Sequence, residues 1–120
     1  MKQRAIELFE KGVELEDAGD KNAAIEAYEE ALIADPLLAA AHINLGTIYF
    51  HMRHYASAEG EYRRATEIDG EYALAFFNLG NVLDEVGRWD EAISNYARAI
   101  LIAPDYADPH YNVEIRKSVV

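Results

Sequence analysis

The segment INLGTIY at residues 43–49 returns as FNLGNVL at residues 77–83. Asn44 and Asn78, Leu45 and Leu79, and Gly46 and Gly80 are each 34 residues apart. The same offset links Gly12 to Gly46. It also runs through Ala24, Ala58 and Ala92, through Tyr28, Tyr62 and Tyr96, and through Ala31, Ala65 and Ala99. A fixed period of this length marks a chain built from stacked copies of one small unit. The expected units cover 5–38, 39–72 and 73–106 within a single domain, 1–120, and a C-terminal helix covers 107–120.

Each unit reads as two helices. Leu45, Ile48, Tyr49 and Met52 recur at helical spacing in the first helix of the second unit, and Ile93, Tyr96, Ala97 and Ile100 do so in the second helix of the third. Turn signals separate them, as in AGD at Ala18 and VGR at Val86. Asp35-Pro36 and Ala103-Pro104 close two of the units, since proline has no N–H to continue a helix. Period-two alternation of strand formers is lacking, so an all-α fold is predicted. Gly12, Gly46 and Gly80 are expected to admit a partner helix bearing Ala24, Ala58 and Ala92, with the tyrosines filling the space alongside. One such unit cannot cover its own apolar face, so the units must stack.

These residues resemble the tetratricopeptide repeat. The third unit carries the pattern most fully, in Phe76, Leu79, Gly80, Leu83, Gly87, Trp89, Ala92, Tyr96, Ala99 and Pro104. The second departs at Gly70, where proline is usual, and the first keeps Leu8, Gly12, Leu15, Ala24, Tyr28, Ala31 and Pro36. The resemblance implies a right-handed superhelical solenoid, three helix-turn-helix repeats and a C-terminal capping helix. It also implies a concave groove lined by the first helix of each unit.

Along that helix the inward stripe follows the helical period. It passes Ile6, Phe9, Glu10, Val13, Glu16 and Asp17 in the first unit. In the second it passes Ala40, Ile43, Asn44, Thr47, Phe50 and His51. In the third it passes Leu74, Phe77, Asn78, Asn81, Asp84 and Glu85, and Tyr111 and Asn112 extend it into the tail. Asn44, Asn78 and Asn112 form a column of amides, each able to donate and accept. It resembles the asparagine ladders with which other members of the family hold peptide backbone. Phe9, Ile43, Phe77 and Tyr111 form an apolar column beside it, open to a ligand or packed between neighbouring helices. Glu16, Asp17, Asp84 and Glu85 make one rim acidic, with Phe50 and His51 between them.

The stretch HMRHY, residues 51–55, ends the groove helix of the second unit. Arg53 stands where the other units have Gly19 and Gly87, which take the left-handed conformation at no steric cost. We therefore read a worn turn, with Phe50 and His51 as a contact spot on the rim. A metal site is not expected. Cysteine is absent, His42 is about half a turn out of phase with His51, and His110 belongs to the tail.

The chain of 120 residues carries a net charge of −11, which sets it against the phosphate backbone of nucleic acid. Ten of its acids fall between Ala5 and Leu38 with only two bases, which favours basic partners. No apolar run is long enough to span a membrane, and Glu7 and Glu10 interrupt any signal-peptide core. A cytoplasmic location is expected. No cofactor is implied, and neither a nucleophile with His/Asp company nor a phosphate-binding glycine loop is present, so no enzyme is predicted. The expected function is a protein-interaction module binding a peptide or helical segment, apolar with basic residues. The alternative is a self-assembling scaffold, a homo-oligomer joined through repeat ends or groove, excised from a larger regulatory protein. Relatives that bind chaperone carboxylate tails use a clamp rich in lysine and arginine. The matching positions here are Phe9, Val13, Asn44, Leu74 and Asn78, of which Asn44 alone fits, so that role is not expected.

Overall fold

The computed structural model describes residues 2–105. Six helices follow one another: α1 (Lys2–Asp17), α2 (Lys21–Ala34), α3 (Ala39–His51), α4 (Tyr55–Ile68), α5 (Ala73–Glu85) and α6 (Trp89–Ile102). No strand occurs among the described residues. The C-terminal helix expected over 107–120 lies outside them. Helices α3 and α5 begin and end 34 residues apart, as do α4 and α6, so the sequence period is a structural period. Helices pair as α1–α2, α3–α4 and α5–α6, and α2 packs on α3 as α4 packs on α5. The result is an all-α solenoid, elongated at 46 × 26 × 20 Å.

The turns follow from a few residues. At the end of α1 the Asp20 N–H bonds the Leu15 carbonyl and the Gly19 N–H bonds the Glu16 carbonyl, with Gly19 at φ 86°. This is the pair of bonds by which a left-handed residue ties off the last helical carbonyls. The ends of α3 and α5 repeat it, through Arg53 at φ 65° and Gly87 at φ 85°. Arg53 therefore does hold the glycine geometry. Between units, Asp35 accepts the Leu37 N–H and Asp69 accepts the Glu71 N–H on their side-chain oxygens. That shared aspartate turn explains why Gly70 can replace the proline: the side chain before it already fixes the loop.

Inside each unit a tyrosine from the second helix lies over a glycine of the first. A Cβ on Gly12, Gly46 or Gly80 would come within 2.5–2.6 Å of the ring of Tyr28, Tyr62 or Tyr96 respectively. The sequence reading put an alanine opposite the glycine and the tyrosine alongside. The ring itself is the nearest neighbour of the glycine, so it is the tyrosine that needs the missing Cβ. Each ring is 0–3% exposed, and burying one contributes roughly 2 kcal/mol.

Between units, Leu45 and Ile48 of α3 pack on Ala24 and Tyr28, while Leu79 and Val82 of α5 pack with Ala58 and Tyr62. At the matching places on α1 stand Lys11 and Glu14, and Glu7 replaces the buried Ala41 and Ala75; all three are exposed. The outer face of the first unit is therefore charged where the inner faces are apolar. On another side of the stack, Arg88 bonds Glu59 at 2.8 Å and Glu91 at 2.8 Å, and Arg63 reaches the same two carboxylates. This network joins α4 to α6. The first junction has Ile25, Glu29, His54 and Ser57 at the corresponding positions and cannot form it.

Candidate functional site

On α3, Asn44, Thr47 and His51 lie three and four residues apart and share one face; on α5, Asn78, Asn81 and Glu85 do the same. Helices α3 and α5 also touch directly, so the two faces adjoin. Asn44, Thr47, Phe50, Leu74, Phe77, Asn78 and Asn81 are all half-buried, and His51 is exposed. Tyr111 and Asn112, the expected continuation, lie outside the described residues.

Ile43 needs correcting as a ligand-contacting residue. It is 3% exposed and belongs to the core formed with Ala58, Tyr62, Ala75 and Leu79. The packing of α4 and α5 covers it. Phe9 and Phe77 occupy the same place in their units and lean on the same kind of partner. Their rings lie 5.6 Å from Tyr28 and 5.7 Å from Tyr96, tilted by 45° and 44°. Both are half-buried where Ile43 is covered, so among the described residues of this column only the two phenylalanines emerge.

The tyrosine hydroxyls reach the same face. Tyr62 and Thr47 share a hydrogen bond of 2.9 Å, and Tyr96 donates to Asn81 Oδ1 at 2.6 Å. In the first unit the corresponding residue is Val13, which has no polar group. There Tyr28 donates to Glu16 Oε1 at 2.7 Å and accepts from Asn44 Nδ2 at 3.2 Å. Burial, and after it the bond to Glu16, pushes the Tyr28 hydroxyl well above its ordinary pKa; burial pushes Tyr96 up to about 12. All three phenols are pushed up by burial and stay protonated near neutrality; Tyr28 and Tyr96 donate, to Glu16 and Asn81. The sequence reading missed these hydroxyls. The available signal was the polar residue at Thr47 and Asn81 against valine at Val13.

At the end of the face, Phe50 meets His51 edge-on at 5.8 Å and Tyr55 at 5.6 Å, and it packs against the core. Glu16, Asp17, Asp84 and Glu85 are the acids of this rim, and neither α3 nor α5 contains lysine or arginine. His42 sits elsewhere, its Nδ1 2.7 Å from Glu61 Oε1. Among the described residues no group of three or more His, Cys, Asp or Glu side chains could hold a metal. No helix among them is long and apolar enough to cross a membrane.

Fold and face together define a class: a helical-repeat solenoid that presents amides and aromatic edges along one side of its first helices. The chain belongs to the tetratricopeptide repeat family, whose profiles match residues 9–73 and 73–106. That family is generally a non-catalytic interaction fold. Over 64 residues the chain is 34% identical to human tetratricopeptide repeat protein 6, covering 53% of this chain and 12% of that protein. It thus spans a small part of that relative's length. Among solved structures it is similar to MamA, at 28% identity and TM-score 0.89, over 96% of this chain and 67% of that one. It is also similar to the second TPR of Spaghetti (RPAP3) bound to the HSP90 peptide SRMEEVD. There the identity is 29% and the TM-score 0.80, over 84% of this chain and 94% of that one.

Proposed function

We propose that this chain is a protein-interaction module that holds a segment of a partner protein against the face formed by α1, α3 and α5. The similarity to a peptide-bound repeat domain supports a peptide as ligand. The chemistry of the peptide follows from one observation: α3 and α5 carry no cation, while acids stand at the rim. An acidic tail would meet Glu16, Asp17, Asp84 and Glu85 with no lysine or arginine on α3 or α5 to neutralise it. A segment with apolar anchors and Lys or Arg complements the surface instead. Phe50, Leu74 and Phe77 bury the anchors, the amides of Asn44, Asn78 and Asn81 meet the backbone, and the acids orient the basic side chains.

Selection from a displayed random-peptide library, followed by calorimetric titration of synthetic winners, tests this. The winners should be apolar and basic. Phe77→Ala and Asn78→Ala should each weaken them about tenfold or more, as for central interface residues. The peptide SRMEEVD should show no micromolar binding. Undiminished affinity in both variants, or tight capture of SRMEEVD, would contradict the proposal.

A further inference from the structure

The bond pattern at the first junction fixes more than the position of Asn44. Tyr28 has one hydroxyl hydrogen, and it is engaged by Glu16 at 2.7 Å. A carboxylate at neutral pH accepts only, so the hydrogen must point to it. The phenolic oxygen then has only lone pairs to offer Asn44. The end of the Asn44 amide facing Tyr28, at 3.2 Å, must therefore be the NH2 group. Its carbonyl oxygen lies on the opposite side of the planar amide, away from Tyr28. Tyr62 and Tyr96 meet Thr47 and Asn81 within their own units; Tyr28, facing Val13 at that place, bonds Glu16 in its own unit and takes Asn44 across the junction.

Resting on the peptide-binding reading above, we infer that Tyr28 and Glu16 are positioning residues that lock Asn44 with its Oδ1 presented to the ligand. Asn44 is then a dedicated acceptor for one backbone N–H of the bound segment. A freely turning asparagine can serve either polarity; a locked one serves a single polarity and has its rotamer fixed in advance. The bound chain is thereby read for where an N–H falls, independently of its side chains.

The probe is the tightest library-selected peptide, made as a series in which each backbone N–H in turn is methylated. Wild type should lose about tenfold at one methylated position, the worth of one well-placed hydrogen bond. Asn44→Ala should lose a similar factor with the unmodified peptide and be indifferent to that methyl. Tyr28→Phe should bind the unmodified peptide about fivefold more weakly, and its penalty for the methyl should shrink to about twofold. Val13→Thr keeps the ring and its packing but offers Tyr28 the partner that Thr47 gives Tyr62, so it should reproduce the smaller penalty without loss of fold. The inference is overturned if methylation is felt nowhere, or if Tyr28→Phe and Val13→Thr keep the full wild-type penalty. In either case the peptide-binding reading stands. If no peptide can be selected at all, both fall together.

Discussion

Arg53 is held at φ 65°, where an L side chain crowds its own backbone. The cost of that conformation is of order 1 kcal/mol, partly offset because glycine is the more flexible residue when unfolded. Arg53→Gly should accordingly stabilise the protein by roughly 0.5–1 kcal/mol and raise the melting temperature by a few degrees. Thermal denaturation followed by circular dichroism would show it, and a lower melting temperature would show that the guanidinium makes a compensating contact. This strain was legible in the sequence because Gly19 and Gly87 occupy the same place in the flanking units. The fate of Ile43 was not. Periodicity along one helix gives the angle at which a residue points, and the depth at which it ends depends on residues in α4 and α5. The hydroxyl partners were hidden for a related reason: a tyrosine aligned in every unit looks like plain core until its oxygen is placed.

Pairs of helices are held together by the ring-over-glycine contact, and the second unit tests it best because it has neighbours on both sides. In Gly46→Ala the new methyl would stand 2.6 Å from Tyr62 Cε1, a distance no carbon pair tolerates. The ring is 3% exposed and tied through its hydroxyl to Thr47, so it has little room to move. A loss of about 1–3 kcal/mol is expected from urea unfolding, the usual cost of overpacking, despite the better helix propensity of alanine. A loss below about 0.5 kcal/mol would mean that the helices slide apart cheaply. The C-terminal ends of the helices were largely legible, since glycine or aspartate follows four of the six. Gly70 looked like a defect in the pattern and proved harmless, because Asp69 shapes that loop through its own side chain.

At the scale of the whole molecule, repeats stack through Leu45, Ile48, Leu79 and Val82, and the first unit answers with Lys11 and Glu14. A second copy packing an apolar helix face there would bury these charges without partners, at several kcal/mol. This bears on self-assembly directly. Giving α1 the residues of α3, as Glu7→Ala, Lys11→Leu and Glu14→Ile together, should create an adhesive end. Sedimentation velocity across a concentration series should then show association that is weaker or absent in the parent. Equal association in both would mean that this end plays no part in whatever assembly occurs. The charge contrast was present in the alignment of the units, yet it acquires meaning only once α2 is seen packing on the equivalent face of α3.

The charged outer face also constrains how such a chain can grow by duplication. A copy of the second or third unit can be inserted into the interior, because its first helix already carries an apolar face for the preceding neighbour. A copy of the first unit placed there would press Glu7, Lys11 and Glu14 against a packed helix and split the stack. Of the three units, the second and third have first helices suited to an interior place in such a stack.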